Sequence, residues 1–150
     1  MASIHRHISI NVPAHLVWDA LRDTGALHTR LVPGFVTDCR LEDGGSARVV
    51  TFANGVVARE LIVDLDDTAR RLAWSAVGGR LTHHNASAQV LDDEGDGDGA
   101  CRVLWIADLL PHAMAPAIAT MIEQGLQAMK KALESAGASA HNAPLHGPPA

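Results

Sequence analysis

From Phe35 to Leu110 the chain falls into short strand-like runs divided by turn signals. From Ala113 to Ala136 it switches to a helical period and keeps it. This one change of period constrains the fold more than any other feature. Strand-like runs joined by short connections pair with their chain neighbours as an antiparallel meander. A single amphipathic helix that follows such a meander must bury its apolar stripe against the sheet.

The strand-like runs are Phe35–Glu42, Ala47–Ala53, Val56–Asp66, Arg71–Val77, Leu81–Leu91 and Cys101–Leu110. Asp43-Gly44-Gly45, Asn54-Gly55, Asp66-Asp67-Thr68 and Gly78-Gly79 connect the first five, and Asp92–Gly99 reads as a solvated loop before the last. Asn54-Gly55 is the sharpest of these signals and predicts a two-residue type I′ hairpin, in which both central residues need φ > 0. Ahead of the meander, Ile4, Arg6, Ile8, Ile10 and Val12 share one face of a half-buried strand. Pro13 ends it. Val17, Trp18 and Leu21 then set a helical period over Ala14–Arg22, and a second helical turn, Gly25–Leu31, stops at Pro33-Gly34.

At the other end Met114, Ile118, Met121, Ile122, Leu126, Met129 and Leu133 make the apolar stripe of the long helix. Pro116 is tolerated only in a first turn, which places the start near Ala113. Gly137 is expected to end the helix and residues 137–150 to form a disordered tail. The expected fold class is α+β: a helix-grip arrangement with a seven-stranded antiparallel sheet wrapped around the long C-terminal helix, and two short helices after strand one. It occupies residues 1–136 as one domain, as 150 residues suggest.

Composition narrows the function. With 12 Lys and Arg against 17 Asp and Glu, and no basic cluster, there is no footprint for nucleic acid. No apolar run is long enough to span a membrane, and MASIHRHISI lacks the plan of a secretory signal. Cys39 and Cys101 are too few for a disulfide scaffold or a structural zinc site. They read as reduced thiols of a cytoplasmic protein. The acidic loop from Asp92 fails as a calcium loop, because Val103 falls where the bidentate Glu belongs. His5 and His7 share a strand face but lack the rest of a metal site, and no phosphate loop, dinucleotide fingerprint or nucleophile elbow is present. No metal and no cofactor are expected, and the protein is expected to be a monomer or homodimer.

The order of elements, and three local strings, resemble the START-like or SRPBCC superfamily, which includes birch-pollen-allergen-type proteins, polyketide cyclases/aromatases and lipid-transfer domains. The strings are Ile8–Ala14 followed by Val17-Trp18-Asp19-Ala20-Leu21; Arg59-Glu60-Leu61 followed by Asp66-Asp67 and Arg70–Trp74; and Trp105 followed by Asp108-Leu109-Leu110-Pro111. The resemblance covers residues 3–136. It implies a cavity between curved sheet and helix, and it covers carriers, enzymes and regulators alike.

Several side chains are candidates for that cavity. In Leu81–Leu91, Thr82, His84, Ala86, Ala88 and Val90 form the more apolar face, which places His84 inside as a general acid/base or as a hydrogen-bonded core histidine. Glu60 shares a face with Val56, Ala58 and Ile62, and Arg59 shares the other with Val57, Leu61, Val63 and Leu65; either face suits the interior. An inward Glu60 is a candidate proton partner for His84, and an outward one a surface ion pair. Arg48 lies with Val50 and Phe52, and the resemblance implies a cavity base that grips a ligand oxygen; otherwise it is a surface arginine. Trp74 and Trp105 are candidate walls, each with one N–H. Met114, Ile118 and Met121 give the helix an adaptable inner face or plain core. Asp108 suits a helix cap, an arginine pair or a cavity carboxylate.

The function expected first is binding of a small hydrophobic or aromatic molecule of polyketide, lipid or terpenoid type. The alternatives are a polyketide cyclase/aromatase or dehydratase that uses His84, and a regulatory or stress-related interaction module.

Overall fold

A computed structural model describes residues 2–92 and 99–142, with side chains of the last helix described to Gly137. Strand β1 (Ala2–Ile10) leads into helix α1 (Ala14–Arg22), followed by one π-helical turn at Leu27–Leu31. Strands β2 (Val36–Glu42), β3 (Ala47–Phe52), β4 (Val57–Asp66), β5 (Arg71–Val77), β6 (His83–Asp92) and β7 (Cys101–Leu110) come next, then helix α2 (Ala115–Asn142). The seven strands form one sheet in the order β1-β7-β6-β5-β4-β3-β2. Every pairing is antiparallel. Only β1 leaves the meander, and its pairing with β7 brings the chain's beginning beside the strand that enters α2.

The expected α+β helix-grip fold is what the chain adopts. Four details differ from the sequence reading. The hairpin at Asn54-Gly55 is not a two-residue turn. Phe52 and Val56 close a three-residue loop, only Gly55 has positive φ (89°), and the Asn54 carboxamide accepts from Val56 N–H at 3.0 Å. This is the alternative loop in which one glycine in the left-handed region follows an ordinary turn. The pairing register moves by one residue as a result, and Arg48 faces Glu60 instead of Leu61.

A bulge at Val63 is the second difference. The register steps between Ile62 and Asp64, so Leu65 opposes Leu72 on the inner face and not, as the alternation predicts, on the face of Arg59.

The third concerns α2. Gly137 does not end it; the helix runs to Asn142. A Cβ at Gly137 would sit 3.5 Å from Val12, an ordinary contact distance, so the helix turn packs there without requiring glycine. The tail expected from residue 137 therefore begins no earlier than 143; its remainder, 143–150, lies outside the described residues, as do 93–98 of the expected acidic loop. The segment expected as an ordinary helical turn at Gly25–Leu31 is the π-helical turn, closed by Val32 N–H on Leu27 C=O at 2.8 Å.

The core lies between the sheet's inner face and the buried stripe of α2, with Ile122, Leu126, Met129 and Leu133 from the helix. Ile10, Val50, Leu72, Val103 and Leu109 meet them from the strands, and Val17, Trp18 and Leu21 of α1 close one end. Cys39 and Cys101 are both buried, and neither is in a disulfide. No helix among the described residues is long and apolar enough to cross a membrane.

Gly125 sets how near α2 lies to the sheet. A Cβ there would fall 2.8 Å from the Trp105 ring and 3.3 Å from Phe35. Alanine is intrinsically about 1 kcal/mol better than glycine inside a helix, but forced overpacking costs about 1–3 kcal/mol. Gly125→Ala is expected to lower unfolding stability despite its better helix propensity. Trp105→Leu in the same chain is expected to reverse the sign, and a urea-denaturation double-mutant cycle measures that coupling.

Candidate functional site

The inner face of the sheet and the inner stripe of α2 do not close completely on each other. They leave a cavity of about 160 Å³. Leu27 and Leu31 of the π-helical turn, Phe35, Val50, Phe52, Ala88 and Ala107 line it from one side, and Ile118, Met121, Ile122 and Met129 of α2 from the other. Small residues at 76, 88 and 107 keep strand positions from filling the space. Phe35 packs edge-on against Phe52, with ring centroids 5.5 Å apart, and Val56, more than half exposed, lies at the rim.

Only a few polar side chains enter this apolar shell. Arg48 and Glu60 project from facing positions of β3 and β4, and the Arg48 Nε donates to Glu60 Oε1 at 2.8 Å. Their side chains are 3% and 10% exposed. The guanidinium also donates to the Thr24 carbonyl at 3.3 Å and lies over the Trp74 ring, 5.6 Å from its centroid. A buried arginine so held has its charge balanced, its fork partly occupied and its flat face stacked. Trp74 in turn meets Trp105 edge-on at 5.7 Å. The chain Glu60–Arg48–Trp74–Trp105 thus crosses the sheet from β3 and β4 to β7 along one cavity wall.

His84 lies two strands from the ion pair. Its Nδ1 accepts from the Ala76 backbone N–H at 3.0 Å. An acceptor nitrogen carries no proton, so the neutral ring holds its proton on Nε2. Burial holds the His84 pKa below its ordinary value, and the neighbouring His83 acts in the same direction. Protonation would also turn the Nδ1 acceptor into a donor facing another donor. Neither Nε2 of His84 nor Nε1 of Trp74 has a hydrogen-bond partner among the described residues, although both residues line the cavity and are more than nine-tenths buried.

The sequence candidates therefore divide into those that line the cavity and those that do not. Arg48, Glu60, Phe52, Trp74, His84, Trp105, Ile118 and Met121 all line one cavity. The surface alternatives for Arg48 and Glu60 are excluded by their burial, and the open question of which β4 face turns inward is answered for Glu60. His84 and Glu60 share the cavity without a hydrogen bond between them; the carboxylate is engaged by Arg48 instead, which leaves His84 without the proton partner expected for it. Met114 is not a lining residue: it sits in a short turn before α2, half-buried against the core. Thr82 precedes β6 and is exposed, contrary to its expected place beside His84. Asp108 is on the outer face and accepts from Ser3 Oγ at 2.6 Å, so it is no cavity carboxylate.

Sequence reading missed the contribution of Leu27, Leu31 and Phe35, whose apolar character around Pro33-Gly34 was the available signal. It also missed that Trp18 donates to Asp67 at 2.9 Å, where Arg22 binds the same carboxylate and holds its pKa low. Among the described residues no three His, Cys, Asp or Glu side chains converge as a metal site.

Comparison with known proteins agrees with this geometry. Residues 1–134 match the family described as polyketide cyclase/dehydrase and lipid transport. The chain belongs to that family. A search of the curated proteins returned no match. Among solved structures, XoxI from Bacillus cereus is similar at 19% identity and TM-score 0.79, covering 91% of this chain and 99% of that one. A START superfamily protein from Mycobacterium smegmatis matches at 11% identity and TM-score 0.67, over 92% and 98% of the two chains. The di-domain ARO/CYC BexL of the BE-7585A biosynthetic pathway matches at 15% identity and TM-score 0.76, over 89% of this chain and 47% of its own. At these identities the likeness is one of fold, and it confirms the helix-grip architecture of the family member.

Two measurements check this site. Removing one partner of a buried ion pair costs about 3–5 kcal/mol, whereas replacing both by apolar residues is often close to neutral. Glu60→Leu alone is expected to destabilise by about that amount, and Arg48→Met/Glu60→Leu to recover most of it in urea unfolding. For His84 the sign follows from its lowered folded-state pKa. The unfolded chain takes up the proton first as pH falls through about 6.5. Folding stability is thus retained above that pH and lost below it. His84→Gln is expected to lose less stability than the unaltered protein between pH 8 and pH 5.

Proposed function

We propose that this protein binds a small hydrophobic or aromatic molecule in the cavity between sheet and α2. The carrying observation is that cavity: about 160 Å³, walled by aliphatic, methionine and aromatic side chains, with its one ion pair neutralised internally. A concave apolar space with a few convergent polar groups is the usual form of a ligand site. Membership of a family described by polyketide cyclase/dehydrase and lipid transport supports a ligand of polyketide, lipid or terpenoid type.

A second reading has support from one observation, the fold likeness to the di-domain ARO/CYC BexL. In it the protein is a cyclase or dehydratase, with His84 as acid/base. The ring geometry favours the binding reading. A neutral His84 with its proton on Nε2 offers the cavity a hydrogen-bond donor, whereas proton abstraction needs a lone pair there.

The binding reading is tested with fluorobenzene followed by ¹⁹F NMR. Saturable binding is expected, with Kd of about 1 mM or tighter, equivalent to about −4 kcal/mol or better. Met121→Trp fills the lining at mid-helix and is expected to abolish binding while the far-ultraviolet circular dichroism stays unchanged. Binding that survives Met121→Trp places the ligand elsewhere and overturns the proposal. In the enzymatic reading, a bound polyketide-like ketone is instead converted, and His84→Gln keeps binding while turnover falls at least a hundredfold.

A further inference from the structure

The cavity's size and its two unpartnered N–H groups say more about the occupant than that it is apolar. A cavity of 150 Å³ engineered into a protein core takes up benzene; the one here is about 160 Å³. That volume accommodates one six-membered ring with a short substituent, which restricts the proposed polyketide, lipid or terpenoid class to its smallest single-ring members.

Charge narrows the class further. Arg48 is matched by Glu60 at 2.8 Å and further bound to the Thr24 carbonyl. An anionic ligand would find no net positive charge to offset its desolvation, and a cation no free carboxylate. The groups left to act on a ligand are the His84 Nε2–H and the Trp74 Nε1–H. They stand on adjacent strands of the inner face, where Trp74 pairs with Ala86 and His84 receives the Ala76 amide. Neither nitrogen is fully buried, and a donor that loses water to an apolar ligand without gaining a new partner costs about 1–3 kcal/mol. An acceptor oxygen brought in by the ligand recovers that cost, and a hydrocarbon does not.

We infer that the occupant is a neutral, single-ring molecule bearing one acceptor oxygen, such as an aryl ketone, with the ring against Met121 and Ile118 and the oxygen at the donors of His84 and Trp74. This inference rests on the binding reading above and specifies its ligand class.

The test is calorimetric titration at pH 7.5 with four probes: acetophenone, isopropylbenzene as its oxygen-free shape analogue, benzoate, and 2-acetonaphthone. Acetophenone is expected to bind about tenfold tighter than isopropylbenzene and at least tenfold tighter than benzoate. 2-Acetonaphthone is expected not to bind the unaltered protein but to bind Met121→Ala, whose cavity is larger. His84→Leu is expected to erase the difference between acetophenone and isopropylbenzene while leaving isopropylbenzene affinity within about threefold.

Should His84→Leu fail to fold, the four-probe ranking in the unaltered protein decides alone. 2-Acetonaphthone binding as tightly as acetophenone overturns the size limit, and benzoate binding tightest overturns neutrality. Equal affinity for acetophenone and isopropylbenzene overturns the oxygen contact. In each of these cases the cavity still binds a ligand and the proposed function stands. Absence of saturable binding by all four, with fluorobenzene also failing, overturns both.

Discussion

The buried pair of Arg48 and Glu60 is the interaction on which the site depends. Two charges removed from water are costly, and only close geometry with further hydrogen bonds makes them tolerable. Here the geometry comes from strand register: β3 and β4 place the two residues directly opposite on the inner face. The Thr24 carbonyl takes one further donor, and Trp74 covers the guanidinium face. The pair is therefore anchored to the α1–β2 connection, to two strands and to the aromatic wall at once. An arginine held so fully orients its neighbours more than it attracts ligands, and it fixes Trp74 as a wall against which Trp105 packs.

His84 shows the same logic in a neutral group. Its position on the inner face comes from strand alternation, but its chemistry comes from one backbone amide. The Ala76 N–H fixes the tautomer, and burial keeps the ring neutral, so a residue that alternation marks as a proton carrier presents a donor to the cavity. Side-chain identity and strand face, without the partner's position, do not distinguish these roles.

What the sequence revealed follows from what local pattern encodes. Alternation in Ile4–Val12 and the 3.6-residue stripe of α2 each report burial of one face, and with the turn signals of the meander they specify the helix grip. The pairing of Arg48 with Glu60 was not legible because it depends on hairpin loop length. Asn54-Gly55 suits a two-residue turn, which would have set Arg48 against Leu61; one more loop residue decides otherwise. The inward turn of Leu65 was hidden by the Val63 bulge, which alternation has no means to register. Gly137 reads as a stop signal, but the helix runs through it to Asn142, and a Cβ there would meet Val12 at an ordinary contact distance of 3.5 Å. Met114 carried the stripe's period but lies one turn before the helix proper, outside the cavity.

The cavity itself calls for an energetic reason. Sealed core voids cost about 24 cal/mol per Å³, which sets about 4 kcal/mol as the upper bound for a space of about 160 Å³ that opens at a rim. Net stabilities of domains are only about 5–15 kcal/mol, which makes this a large sacrifice for a chain of ordinary core composition. Filling the space needs no new fold: larger side chains at 76, 88 and 107 would occupy part of it. The glycine at 125 acts in the opposite sense, because it lets α2 approach Trp105 and keeps the cavity small. Small residues on the strands that hold the space open, and a glycine on the helix that limits its width, together set a particular size. That size is the one on which the proposed ligand class rests.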